Sequence, residues 1–241
     1  MLAVSDLEVR YGRMAAVRGI KLDVGAGEIV CMVGPNGAGK STTMLTIAGE
    51  LTPHAGTIRF EDKPLTGTSV ENVVRRGISL VPEGRRIFGR LTVEENLRLA
   101  TFIRKNAREA ASDLERIMEQ FPILQERRHA PAGRLSGGEQ QILAIARTLL
   151  TKPKLMLVDE PALGLAPMMV QLVHEILTEL RSEGMTLLVV EQSLERALAL
   201  ADRIYVLRDG QVQLTGPTDE LRDGEQIEAA YFGFQMQGAA P

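Results

Sequence analysis

The sequence has no tryptophan, a single cysteine and only 4% aromatic residues. One thiol, Cys31, excludes an internal disulfide and fits a reducing compartment. No apolar run approaches the ~20 residues that cross a bilayer, so any membrane role has to come through a partner protein. The opening segment MLAVSDLEVRYG places acids early and holds no long apolar stretch, so no secretory signal is expected. Positive charge is not in excess either. The 28 Lys and Arg face 31 Asp and Glu, giving a net charge of −3 and a pI near 5.8. That removes the global electrostatic case for a nucleic-acid partner. Internal repeats and low-complexity tracts are missing too. What the chain does have is 44% hydrophobic residues in 241 positions, enough for a packed core in one domain, or in a core with a subdomain.

The hydrophobic pattern alternates between strand and helix. LAVSDLEVRY mixes apolar and polar residues as a half-buried strand does, and IKLDV reads as its neighbour, with Gly25 and Gly27 in the turn after it. EIVCMVG is nearly all apolar, as in a strand covered on both faces. A helix is expected over Ser41 to Leu51, followed by short strands at GTIRF and GISLVP. Between about Leu91 and Leu150 only helical stripes remain: Leu114, Ile117, Met118 and Phe121, then Ile142, Ile145, Ala146 and Leu149. Strands return at LMLVDE and TLLVVE around a further helix, and RIYVL with QVQLTG closes as a hairpin. Alternating strands and helices imply an α/β fold with a parallel sheet, a small antiparallel β layer at its edge and an inserted helical lobe. The expected division is a core over about 1–90 and 151–232, a helical subdomain over about 91–150, and a mobile tail at 233–241.

Three short stretches carry chemistry. GPNGAGKST runs Gly34-Pro35-Asn36-Gly37-Ala38-Gly39-Lys40-Ser41-Thr42 and lies between a strand and a helix. That is the context in which G-x-x-x-x-G-K-[ST] cradles phosphates with its amides and the helix N-terminus. Lys40 is placed to bridge β- and γ-phosphates, and Ser41 to offer its hydroxyl to Mg²⁺. The motif alone does not separate a kinase, a GTPase and an ATPase. LMLVDEP ends a strand on Asp159 and Glu160, where a parallel sheet places its ligands. Asp159 can hold Mg²⁺ and Glu160 can orient or deprotonate an attacking water. LSGGEQQ sets Ser136, Gly137 and Gly138 before a helix, with Glu139 three residues after the serine as in a capping box. The same two glycines make a second anion site. One ATP has a single triphosphate, so a second site makes sense if it serves another subunit's ATP.

GPNGAGKST, LSGGEQQ and LMLVDEP in this order and spacing resemble the ATPase subunits of ABC transporters over nearly the whole chain. The resemblance implies a P-loop NTPase fold with a RecA-like parallel core, and a head-to-tail dimer with two ATP molecules sandwiched between phosphate loop and signature. Ser136, Gly137 and Gly138 would then contact the partner's γ-phosphate, and Tyr11 would stack on adenine. Two positions depart from the family pattern. Glu83 stands where a glutamine usually touches Mg²⁺ and the attacking water. Glutamate can ligate a hard cation but, when ionised, cannot donate a hydrogen bond; it could instead turn away to Arg85 or Arg86. Gln192 stands at the switch histidine, and its amide can still donate to a γ-phosphate without titrating. VPEGRRIF with LTVEENL, VEQ, and DEPALGLAP with Ala166 in place of an aspartate, are similar to the second ATPase of branched-chain amino acid importers. This implies a sister ATPase or a second copy, two transmembrane permease subunits and, indirectly, a solute-binding protein, with the chain on the cytoplasmic face of the inner membrane. The EGRR stretch and Arg90 are candidates for the permease contact. Importers for urea or other amides carry similar motifs, and a soluble or a regulatory ABC ATPase are the competing readings. An intact Glu160 and LSGGE oppose the regulatory one.

Overall fold

The uninterrupted apolar runs become the centre of one sheet. The computed structural model describes residues 1–221 and 225–233. The chain begins with β1 (Leu2–Tyr11), β2 (Met14–Val24), β3 (Ile29–Val33), α1 (Lys40–Ile47), β4 (Ala55–Phe60), β5 (Lys63–Pro64), α2 (Val70–Arg75) and β6 (Ile78–Val81). Four helices follow in succession: α3 (Val93–Thr101), α4 (Ala107–Gln120), α5 (Pro122–Glu126) and α6 (Gly137–Leu149). The chain then returns to β7 (Leu155–Asp159), α7 (Pro167–Ser182), β8 (Thr186–Glu191), α8 (Leu194–Leu200), β9 (Arg203–Arg208) and β10 (Gln211–Pro217). Two short helices, α9 (Thr218–Leu221) and α10 (Glu225–Phe232), come last. Of the tail at 233–241, all but Gly233 lies outside the described residues.

The main sheet has the order β10-β9-β3-β8-β7-β6, parallel except for β10, which pairs antiparallel with β9. Its centre is apolar on both faces because both are covered. Along β3, Ile29, Cys31 and Val33 join the core with α6, α7 and α8, including Leu143, Val173 and Ala197. Val30 and Met32 join a second core with α1 and the first strands, including Met44, Val17 and Ile58. The same split divides Leu187 and Val189 from Leu188 and Val190 on β8. Each such side chain contributes about 1.5–3 kcal/mol on leaving water. The early strands form an antiparallel sheet of their own, β2-β1-β4-β5, packed over the main sheet rather than extending its edge.

Helix α1 is shorter than its pattern suggests. It starts at Lys40 and stops at Ile47, because Gly49 turns left-handed at φ 81° and its N–H closes on Thr46 O. In the helical stretch, the buried Asn96 side chain donates to Phe88 O and Thr92 O and accepts from Phe88 N. It ties the loop after β6 to α3. Buried Asp113 of α4 pairs with Arg104 and with Lys152, which follows α6. These contacts tie α4 to the loop before it and to the segment that follows the C-terminus of α6.

Candidate nucleotide site

The phosphate loop is built by close packing. A Cβ at Gly34 would lie 2.1 Å from the Leu207 carbonyl oxygen of β9, so only glycine lets β3 leave the sheet there. At the cap of α1, Gly39 sits at φ 96°, left-handed backbone that favours glycine. Lys40 follows, 4% exposed, with its ammonium folded back onto the loop: Nζ donates to Gly34 O at 2.7 Å and to Pro35 O at 3.1 Å. The amide of Ala38 closes the turn on Pro35 O. Ser41 Oγ donates to Asp159 Oδ1 at 3.1 Å. Glu160 takes φ 45°, rare for a residue with a side chain, and its N–H bonds Val190 O at 3.0 Å. That turn leaves Glu160 Oε1 3.9 Å from Lys40 Nζ.

Charge in the site is unbalanced. Burial pushes Asp159 up to about 6, the nearby Glu160 and Glu83 carboxylates push the same way, and the Ser41 hydrogen bond opposes them. Burial also raises Glu160 against the pull of Lys40, with Glu83 and Glu191 adding to the rise. Burial lowers Lys40, and Glu160 and Asp159 only partly offset it. Acids thus outnumber the one buried ammonium. This all-oxygen, anionic donor set fits a hard divalent cation. Among the described residues no group of three or more His, Cys, Asp or Glu could hold a metal alone, so phosphate oxygens would have to complete such a shell.

A cleft of about 770 Å³ opens over the loop. Asn36, Gly37, Ala38, Gly39, Lys40, Ser41 and Thr42 line it together with Tyr11, Glu83, Glu160 and Gln192. Tyr11, 48% exposed, ends β1 at this cleft. Glu83 lines the cleft instead of turning to its arginine neighbours: Arg85 reaches Gln140 Oε1 at 3.4 Å and Arg86 pairs with Glu50 at 3.8 Å. Met14, Arg18, Leu163 and Asp209 also line it, and none carries a motif that would announce it.

Ser136, Gly137 and Gly138 stand apart from that cleft's lining. Ser136 caps α6 in a full capping box with Glu139. Gly138 packs closely under Met169, whose side chain would have to move to admit a Cβ, 2.3 Å from its Cε and 2.6 Å from its Cγ. Ala166 is the N-cap of α7 and provides no side-chain cap. At the end of β8, Glu191 is 3% exposed, with His174 Nε2 at 3.7 Å from its Oε1. The Gln192 carbonyl accepts a hydrogen bond from the Tyr231 hydroxyl at 2.8 Å, across 39 residues of sequence. No helix among the described residues is long and apolar enough to cross a membrane.

Known proteins are similar to this chain in sequence and in fold. The family model for ABC transporters matches residues 17–163. The high-affinity branched-chain amino acid transport ATP-binding protein BraG of Pseudomonas aeruginosa is 43% identical, over 97% of this chain and all of that one. The lipopolysaccharide export system ATP-binding protein LptB of Haemophilus influenzae is 34% identical, over 98% of this chain and 99% of that one. Among solved structures, the ADP conformation of an ATP-binding cassette of an ABC transporter superposes with a TM-score of 0.84 at 27% identity, covering 97% and 99% of the two chains. Likeness of this depth, end to end and in both sequence and fold, makes the chain a member of the ABC transporter family of ATP-binding ATPase subunits.

Proposed function

We propose that the chain hydrolyses ATP to drive an importer of branched-chain amino acids from the cytoplasmic face of the plasma membrane. The observation that carries the chemistry is the convergence of Lys40, Ser41, Asp159 and Glu160, with Ser41 on Asp159 at 3.1 Å and Glu160 3.9 Å from the lysine. The solute follows from full-length similarity to BraG, which exceeds that to LptB by 43% to 34% identity.

In this reading Lys40 leaves the loop carbonyls for the β- and γ-phosphates, and the loop amides take the remaining phosphate oxygens. Tyr11 lies against adenine. Ser41 and Asp159 would hold Mg²⁺, with Glu83 a further carboxylate in the lining of the same cleft, and the ion would offset charge on the transferred phosphoryl group. Glu160, its basicity raised by burial, orients the water in line and accepts its proton. Gln192 donates its amide to the γ-phosphate. Ser136, Gly137 and Gly138 serve the ATP of a facing cassette, a second copy or a sister. The helices over about 91–150 act as the unit that turns against the core. A groove lined by Val74, Arg86, Phe88, Leu99 and Arg147 is the seat for a permease's cytoplasmic loop. Its Phe88 is 54% exposed with the Arg147 guanidinium over the ring at 5.8 Å. A solute-binding protein enters only through the permeases.

Phosphate release and leucine uptake by the assembled complex test the proposal. Glu160→Gln should lower steady-state hydrolysis by ~10²-fold or more and stop uptake while ATP still binds. Equal release rates in wild type and variant would overturn the catalytic assignment. Hydrolysis that responds to urea but not to leucine would overturn the solute.

A further inference from the structure

Helix α10 is held to the nucleotide core at two points. Arg208 of β9 donates to Ala230 O at 3.3 Å, beside Asp209 of the cleft wall. Tyr231 donates its hydroxyl to the carbonyl of Gln192 at 2.8 Å. Ile227 anchors the helix in the main core at 2% exposure, and the Tyr231 ring packs against the same core. Tyr231 also meets Phe232 edge to face at 4.9 Å. Burial and the Glu160 carboxylate both raise the Tyr231 hydroxyl, so it stays a donor through the physiological range. Residue 192 sits in the short link between β8 and α8, just before Ser193, the N-cap of α8, and the Tyr231 bond ties this link to a third element. Sequence motifs give no reason for a tyrosine near the end of the chain to touch this link.

From this geometry we infer that Tyr231 is a positioning residue for Gln192: its hydroxyl fixes the backbone of the switch so that the glutamine amide faces the γ-phosphate. The inference rests on the proposal that Gln192 senses that phosphate. It makes the C-terminal helix part of the apparatus that distinguishes ATP from ADP. Tyr231 stands outside the lining of the cleft and acts only through residue 192.

The test compares ATP and ADP affinities by calorimetry in the full-length Glu160→Gln chain, where turnover does not interfere. Tyr231→Phe keeps the ring and its contact with Phe232 and removes the hydroxyl. It should cut the preference for ATP over ADP about three- to tenfold, the weight of one hydrogen bond, leaving ADP affinity unchanged and lowering Tm by no more than roughly 2–4 °C. In a chain that also carries Gln192→Ala, Tyr231→Phe should have no further effect. An unchanged preference, or an equal loss in the Gln192→Ala background, would overturn the inference. A Lys40→Ala arm separates the two levels. If it leaves ATP binding intact, the nucleotide site itself is misassigned. If it abolishes binding and Tyr231→Phe changes nothing, only the role of Tyr231 falls.

Discussion

Ala166 shows what a helix forgoes when its N-cap has no side-chain oxygen. It caps α7 without offering an oxygen to the first-turn amides, and Pro167 at the next position lessens the loss by having no N–H to satisfy. An aspartate there would accept from those amides and meet the positive end of the helix. Ala166→Asp should therefore stabilise the chain by about 1 kcal/mol, raising Tm by roughly 2–4 °C. A melt by circular dichroism reads it, and an unchanged or lower Tm would show that the cap is satisfied some other way. Glu83 and Gln192, the other two departures from the family pattern, both line the cleft. Glu83 adds negative charge that raises Asp159 and Glu160, an effect a glutamine there would not have.

The helices between β6 and β7 are bound to one another by charge as well as by their apolar stripes. Arg128, after α5, donates to Glu94 of α3 at 3.0 Å and to Glu115 of α4 at 2.7 Å. Arg128, with Arg98 assisting, holds the Glu94 carboxyl down to about 2 from an ordinary 4.5. A carboxyl whose pKa is depressed by folding stabilises the fold above its unfolded pKa and loses that contribution as it protonates. Glu94→Gln should thus cost about 1 kcal/mol at pH 7. The gap in Tm from wild type should narrow below about pH 4.5 and close near 2. A gap that stayed constant over that window would contradict the pairing. These elements were largely legible beforehand. EIVCMVG showed a strand buried on both faces, TLLVVE showed a further strand, and Leu114 with Met118 showed the inward side of α4. The end of α1 was not, because a left-handed Gly49 outweighs an apolar Leu51. Nor was the Arg128 cluster or the Tyr231 bond: Arg128 lies 34 residues from Glu94 and 13 from Glu115, and Tyr231 lies 39 from Gln192, and polar pairing at such separations leaves no periodic trace. Within the site, the loop and Asp159–Glu160 announced themselves through fixed spacing. Met14 and Asp209 reach it through topology alone.

Across the whole molecule, the two halves of the chemistry do not meet. Lys40, Glu160 and Gln192 share one cleft, while Ser136 caps α6 and Gly137 and Gly138 open it, all three outside that lining. A signature that serves no phosphate of its own chain makes sense when a second cassette faces the first, each closing the other's site. Sedimentation velocity on the Glu160→Gln chain, alone and mixed with its sister cassette, measures this most directly. With Mg-ATP it should sediment as a pair and without nucleotide as single chains, and Ser136→Arg should abolish pairing while ATP still binds. Single chains under every condition, or pairs that form regardless of nucleotide and of Ser136, would contradict a site completed by two molecules.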